Sequence, residues 1–295
     1  MNSMNAELEK KDSPSPKQFE FVSTRITQHR CIAEHTWRMT VEAPELARRT
    51  VPGQFFMVRI AGQNDPLIGR ALAMYDMHRD KSGQPMAVSV VYTVKGKFTQ
   101  ALSQCVAGDR VELWGPLGNG FSTQPTEHLI LVAGGVGQTP MLTLAAAALG
   151  KAQFGDPVQP TLYAKRVTLC YGARTKTHLA GLADFEKVCT DVRIATEDGS
   201  LGHRGRVTDL LKTVLAESNV PCRIACCGPE PMMEAVSEIA KAHAVPCEVS
   251  LETPMACGTG ICFTCVAKIK QKDGGWDYQR TCIEGPVFDA EKVVW

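Results

Sequence analysis

The sequence carries no excess of either charge: 32 lysines and arginines stand against 31 aspartates and glutamates in 295 residues. That balance removes the electrostatic footprint of a nucleic-acid binder or of a protein held on an anionic membrane. Long apolar runs are also missing. The most apolar stretch, Leu129 to Leu149, is interrupted by Gly134, Gly135, Gly137, Gln138 and Pro140, which spoils the roughly 20-residue run that a membrane helix needs. Residues 1–18 are polar, with Lys10, Lys11 and a Ser-Pro-Ser-Pro stretch. They lack the apolar core of a secretory signal and are expected to form a disordered tail. Cysteine, by contrast, is plentiful. Twelve cysteines scattered through a long chain with no export signal point to a reducing cytoplasm and to metal ligation, not to a disulfide framework.

Three rhythms divide the rest of the chain. Up to about Phe121, Phe55 to Ile60, Met86 to Val94 and Arg110 to Trp114 are rich in β-branched and aromatic residues punctuated by Gly and Pro, as in an antiparallel β-barrel. From Leu129 onward short apolar runs alternate with helical stretches. Leu129 to Ala133, Val167 to Tyr171, Val192 to Thr196 and Arg223 to Cys227 read as buried strands of a parallel sheet covered by helices. The last fifty or so residues carry four cysteines and five glycines between Cys257 and Gly285, the mark of a small module held by a cofactor. The expected layout is a tail over 1–18, a barrel over 19–123, an α/β nucleotide-binding domain over 124–248 and a cluster module over 249–295.

Cys257, Cys262, Cys265 and Cys282 are spaced C-x4-C-x2-C-x16-C, and the first three follow the plant-type [2Fe–2S] pattern. Four thiolates must converge on two irons, so the Cys257 to Cys262 segment must wrap tightly, and Gly258 and Gly260 permit the backbone angles this needs. Structural zinc is the competing reading of such a set. Cys31, Cys105, Cys170, Cys189, Cys222 and Cys247 are read as buried and inert.

Leu129 to Ala133 runs into Gly134-Gly135-Val136-Gly137-Gln138-Thr139-Pro140 and then an Ala/Leu-rich helix. A strand, a glycine-rich turn and a helix N-terminus together suit a pyrophosphate, with Gly134, Gly135, Gly137, Thr139 and Pro140 as the contacts; a tight packing turn would look similar. A second strand ends in Cys227-Gly228-Pro229, where parallel sheets present ligands. Cys227 is expected to line the nicotinamide position or else to be merely buried. The acidic pair Glu197-Asp198 would repel a 2′-phosphate, which favours NAD over NADP. In the barrel, Arg70-Ala71-Leu72-Ala73 and the stretch from Tyr92 to Thr99 offer a cation, an aromatic ring and a glycine turn. Arg70 suits a pyrophosphate, Tyr92 a flavin or ribityl contact, and Gly96 to Thr99 N–H and hydroxyl donors. The bland reading is a solvated arginine and an exposed turn.

These motifs, in this order, resemble the ferredoxin–NADP reductase superfamily. Gly115-Pro-Leu-Gly-Asn-Gly-Phe121, the Glu197 to Gly202 turn, Leu251 to Cys257 and Gly285-Pro-Val-Phe-Asp289 more specifically resemble the electron-transfer subunits of class 1B dihydroorotate dehydrogenases, over Phe19 to Trp295. The resemblance implies FAD on the barrel, contacted by Arg70, Ala71, Leu72 and Ala73, by Val91, Tyr92 and Thr93, and by Gly96, Phe98 and Thr99. It also implies NAD in the second domain and a [2Fe–2S] cluster on the four cysteines named above. It further implies a separate FMN-containing catalytic subunit in a heterotetramer, because this chain shows no dihydroorotate site. Electrons would pass from that partner through the cluster and FAD to NAD+. Ala71, Ala73 and Phe98-Thr99 depart from the usual Pro, Ser and Gly-Thr. Two other readings stay open: the flavoprotein subunit of an NADH-dependent ferredoxin–NADP oxidoreductase or sulfhydrogenase, and a redox-sensing subunit without turnover.

Overall fold

The computed structural model describes residues 19–295, so the tail expected over residues 1–18 lies outside the described residues. The first half holds strands β1 (Glu20–Ala33), β2 (Thr36–Glu42), β3 (Phe55–Ile60), β4 (Arg70–Arg79), β5 (Pro85–Thr93) and β6 (Arg110–Leu117), with short helices α1 (Pro44–Arg49) and α2 (Lys97–Ser103). The strands close an antiparallel barrel in the order β1-β2-β5-β4-β3-β6. β3 and β5 lie where the β-branched runs predict them. β1 and β4 carried no such signal. β1 alternates polar outward residues with Val22, Thr24 and Ile26, and β4 buries only Met74 and Tyr75 fully, so neither shows the apolar density that marks a strand in a sequence.

The second half contains β7 (Thr126–Gly134), α3 (Met141–Ala148), β8 (Ala164–Ala173), α4 (Leu182–Val188), β9 (Asp191–Thr196), β10 (His203–Arg204), α5 (Val207–Glu217), β11 (Cys222–Cys227), α6 (Glu230–Ala242) and β12 (Cys247–Ser250). The chain ends with the hairpin β13 (Val266–Lys270) and β14 (Trp276–Arg280), followed by β15 (Val287–Asp289). The large sheet runs β10-β9-β8-β7-β11-β12-β15, parallel except for β15, which pairs antiparallel with β12. The expected 249–295 module therefore does not separate cleanly, because its last strand completes the nucleotide-domain sheet. The three residues of β15 are too few to show a pattern in the sequence.

β7 leads to β8, β9 and β10 on one side, while β11 lies on its other side. The strand order thus reverses between β7 and β11, and at such a point the strand ends leave a crevice for a ligand. Helix α3 is buried along nearly its whole length, because it lies between the sheet and the barrel. One continuous core joins Met39, Phe56 and Val90 of the barrel to Leu131, Met141, Tyr171 and Phe185 of the α/β domain. Polar contacts reinforce that junction. The Arg38 guanidinium donates to Asp184 at 3.1 Å and to Asp76 at 2.9 Å, and the Tyr75 hydroxyl donates to Asp184 at 2.8 Å. Among the described residues no helix is long and apolar enough to cross a membrane.

Candidate functional site

The four cysteines of the C-terminal module lie as two pairs. The buried pair is Cys265 and Cys282, with the Cys265 thiol donating to the Cys282 sulfur at 3.1 Å. The outer pair is Cys257 and Cys262, whose side chains interact with each other, and Cys262 is exposed. Among the described residues no three His, Cys, Asp or Glu side chains converge as a cage for one ion. The loop between the outer cysteines turns on Gly258 (φ +73°) and Gly260 (φ +82°), as the sequence predicts. The Thr259 N–H points at the Cys257 sulfur at 3.4 Å. Burial works to raise the Cys257 thiol, but donors from Thr259 and Cys262 outweigh it and bring it down to about 6. A thiolate is the form that binds iron, and two thiolates on each of two irons match two pairs of thiols. The donor set fits a two-iron cluster.

The module is seated on the barrel. Cys265 and Cys282 share an apolar cluster with Phe55, Met57 and Leu117, against which Ala71, Ala73, Trp114 and Met255 pack. The Trp114 indole donates to the Cys257 carbonyl at 2.9 Å. A methyl group on Gly258 would stand 2.6 Å from Met57 Cγ, so the loop lies flat on β3. Asn119 supplies the clamp: its side chain donates to the carbonyls of Glu284 (3.0 Å) and Val287 (2.8 Å) and accepts from the Val287 N–H (2.9 Å). The Gly115 to Phe121 and Gly285 to Asp289 motifs therefore meet in space.

In the barrel, β4 pairs Arg70, Ala71, Leu72 and Ala73 with Val58, Met57, Phe56 and Phe55 of β3. The flavin motif thus runs directly beside the strand that carries the cluster module. The Arg70 side chain is exposed and lies over the Phe98 ring at 5.8 Å, which brings the first and last parts of the expected flavin site together. A side chain on Gly96 would meet open space. The geometry revises two expectations. The Tyr92 ring is enclosed in the barrel, with its hydroxyl 2.8 Å from His29 Nε2, which leaves its backbone, not its ring, for a flavin. Thr99 is already used as a cap: its hydroxyl accepts from the Lys95 and Gly96 N–H groups at 2.9 and 3.1 Å and donates to the Gly96 carbonyl. Val91 is buried and Thr93 half-buried at the end of β5.

The two glycine turns meet at the β7/β11 switch. Methyl groups on Gly134, Gly137 and Gly228 would strike Met232, the Cys227 carbonyl and Met232 respectively, all within 2.6 Å. These glycines let the turns pack on each other. Gly135 differs: it has φ +54° and nothing within 4 Å of an added Cβ, so it faces the open crevice. Thr139 and Pro140 follow a single 3₁₀ turn over 135–138, and the Thr139 hydroxyl donates to the Val136 carbonyl. Pro229 starts α6 and, like Met232, packs beside Gly134. Cys227 is half-buried at the end of β11, and burial together with Glu252 pushes its thiol up to about 12, so it forms a neutral wall. Gln138 is fully buried, with neither end of its carboxamide paired to protein. An open glycine between converging strand ends fits a dinucleotide. Glu197 and Asp198 are exposed just beyond β9, and the Asp198 carboxylate is held by the Ser200 N–H (3.0 Å) and hydroxyl (2.7 Å). Of the cysteines read as inert, Cys31 is exposed and Cys105 and Cys222 are half-buried; Cys31 lies on the solvent side of β1.

Family models match three successive stretches: an oxidoreductase FAD-binding domain over residues 23–121, an oxidoreductase NAD-binding domain over 131–238, and the iron–sulfur cluster binding domain of dihydroorotate dehydrogenase B over 252–294. The dihydroorotate dehydrogenase B (NAD(+)) electron transfer subunit of Desulforamulus reducens is 38% identical over 266 residues, covering 90% of this chain and 94% of that protein. The chain belongs to this family. The corresponding subunit of Caldanaerobacter subterraneus is 33% identical, with 93% and 98% covered. Among solved structures, one of an NADH-dependent reduced ferredoxin–NADP oxidoreductase superposes with a TM-score of 0.76 at 28% identity, covering 92% of this chain and 90% of that one. Phthalate dioxygenase reductase shares the fold at a TM-score of 0.58 and 17% identity, with 92% and 96% covered.

Sequence reasoning passed over several residues that build the site. Met57 lies inside a strand-like run and Leu117 inside a quoted motif, each without a role of its own, because nothing in a single sequence marks which core residues face another module. Trp114 and Asn119 sat in or beside a quoted motif without a role. Arg280 stands two positions before Cys282, and a cation so near a ligand was a readable signal.

Proposed function

We propose that this chain is the electron-transfer subunit of an NAD-linked dihydroorotate dehydrogenase, serving pyrimidine biosynthesis in the cytoplasm with a separate FMN-containing catalytic subunit. In this reading residues 19–123 hold FAD, 124–248 hold NAD, and 249–295 hold a [2Fe–2S] cluster on Cys257, Cys262, Cys265 and Cys282. When bound, FAD supplies the exchange between the single electrons carried by iron and the two-electron hydride carried by NAD.

The observation that carries the proposal is the apolar cluster in which Cys265 and Cys282 meet Met57, Ala71 and Ala73. The inner thiols thereby lie in one apolar cluster with the strand that begins with Arg70. Arg70 is exposed and uses Nη1 on the Ile68 and Gly69 carbonyls, which leaves its remaining guanidinium donors for a pyrophosphate. Gly135 leaves room for the nucleotide at the strand switch, and Cys227 contributes a small uncharged wall. On the other side, Cys262 is exposed together with Ile261 and Phe263, 82% and 63% exposed respectively, which suits docking of the catalytic subunit. The pairing of thiols two by two supports two irons over one zinc.

A second reading, a subunit of an NADH-dependent ferredoxin–NADP oxidoreductase, is favoured by the structural likeness at 28% identity. Anaerobic co-purification with the candidate catalytic subunit separates the two. Dihydroorotate-dependent NAD+ reduction by a complex containing FAD and two irons per copy of this chain is the expected result. Loaded cofactors with no response to dihydroorotate would overturn the specific assignment. Cys262→Ser should abolish NAD+ reduction by dihydroorotate and leave reduction of an artificial acceptor by the catalytic subunit intact.

A further inference from the structure

One side chain touches all three ligand-bearing stretches of the cluster module. Arg280 ends β14, two residues before Cys282, and Glu284 follows two residues after it. Arg280 Nη1 donates to the Gly260 carbonyl at 3.1 Å, inside the Cys257 to Cys262 loop. The guanidinium lies over the ring of Phe263 at 5.2 Å, between Cys262 and Cys265. Glu284 fixes it from the Cys282 turn, accepting from the Arg280 backbone N–H at 2.7 Å, from Nε at 3.2 Å and from Nη2 at 2.5 Å. Both side chains are about one-third exposed, so the pair is partly withdrawn from the solvent that would screen it. An arginine used only to close a hairpin would not need contacts to three separate segments.

We propose that Arg280 and Glu284 form a charge pair that sets the reduction potential of the iron–sulfur centre, with Arg280 raising it and Glu284 holding it down. Four thiolates leave a two-iron centre net negative, and taking up an electron adds a further negative charge. A cation fixed on the loops that carry its ligands favours the reduced form, and a carboxylate beside that cation subtracts from the effect. Partner charges, hydrogen bonds and exposure are the general levers on such potentials. Arg280 is a positioning residue here, since it touches the ligand-bearing backbone and not the reacting atoms. The inference rests on the reading of the four cysteines as iron ligands.

The test is a redox titration followed by electron paramagnetic resonance on the anaerobically prepared holoprotein, with iron and sulfide measured on every sample. Glu284→Gln leaves the guanidinium unbalanced and should favour reduction about tenfold, a rise of about 59 mV for a one-electron couple. Arg280→Gln should shift the potential downward by a similar amount, and Arg280→Lys should keep it near wild type. A fully loaded Glu284→Gln protein with an unchanged or lower potential overturns the proposal, whether or not Arg280→Gln retains iron. Shifts of the same sign in both glutamine variants overturn it as well, because a mere clamp has no reason to respond oppositely to the loss of its two ends. A wild-type protein that takes up no iron would instead overturn the assignment of the cysteines.

Discussion

Gly258 lies where the cluster loop meets the barrel, and replacing it with alanine tests whether that seating holds the ligands in place. Two separate penalties are expected. The residue has φ +73°, a left-handed conformation that costs an L-residue roughly 1–2 kcal/mol. The added methyl would stand 2.6 Å from Met57 Cγ and 2.8 Å from Leu117 Cδ1. Both side chains are buried against the cysteines, so neither can swing aside, and overpacking of this kind costs about 1–3 kcal/mol. Together the strain is about 2–5 kcal/mol. The cheapest relief is for the loop to lift off β3, which breaks the Trp114 to Cys257 hydrogen bond and separates the outer cysteines from the inner pair. Gly258→Ala should therefore lose most of its iron and sulfide, read chemically and from visible absorbance, while the circular dichroism of the two larger domains stays intact. Gly274→Ala is the control. Its φ is +86° but an added Cβ meets nothing within 4 Å, so only the backbone term applies and the iron content should remain near wild type. A Gly258→Ala protein with wild-type iron content and an unchanged unfolding midpoint would refute the reasoning.

Three further outcomes are expected. His128 is fully buried, and desolvation with Arg166 beside it lowers its pKa to about 4. The unfolded chain then binds a proton below about pH 6.5 that the folded chain refuses until about pH 4, so stability should fall across that window by at most about 3 kcal/mol; denaturant titrations of wild type and His128→Gln from pH 4 to 7 would show it as a slope that the variant lacks. With FAD bound as proposed, Arg70→Gln would remove a charge-assisted contact worth about 1.5–3 kcal/mol, and FAD retention on gel filtration should weaken by roughly ten- to a hundredfold. Because the Asp198 carboxylate is held by Ser200, Glu197 is the freer charge, and Glu197→Gln should lower KM for NADP+ more than for NAD+; equal effects on both would remove Glu197 from nucleotide selection.

What could be read from the sequence follows from how local each signal is. The cysteine spacing predicts a tight loop, and the loop turns on the two glycines the spacing marks. β3, β7, β8 and β11 are legible because their central residues are buried and mostly apolar, and β9 through Val192, Ile194 and Ala195 alone, whereas β1 and β4 face solvent on one side and hide their pattern in polar and small residues. The glycine turn after β7 was legible as a turn but not glycine by glycine. Gly134 and Gly137 answer to Met232 and Cys227, residues about a hundred positions away, and a single chain read in order does not reveal that contact. Tyr92 shows the same limit. Its type suggests a flavin platform, yet the period of β5 turns its ring inward toward His29.

The placement of the cluster module explains why β4 can depart from the motif it resembles. Ala71 and Ala73 stand opposite Met57 and Phe55, and all four belong to the apolar patch that receives Cys265 and Cys282. Small side chains at 71 and 73 keep that face low, so β3 and β4 together form a thin apolar partition under the inner thiols. A larger or polar residue there would thicken or wet that partition. Asn119 and Gly118 hold the partition from its edge. A Cβ on Gly118 would strike Pro286 at 2.5 Å, and the Asn119 N–H donates to the Gly285 carbonyl at 2.6 Å. β15 then ties the end of the module into the nucleotide-domain sheet. The cluster module is thus fixed to both domains by packed side chains and strand pairing, not by a tether.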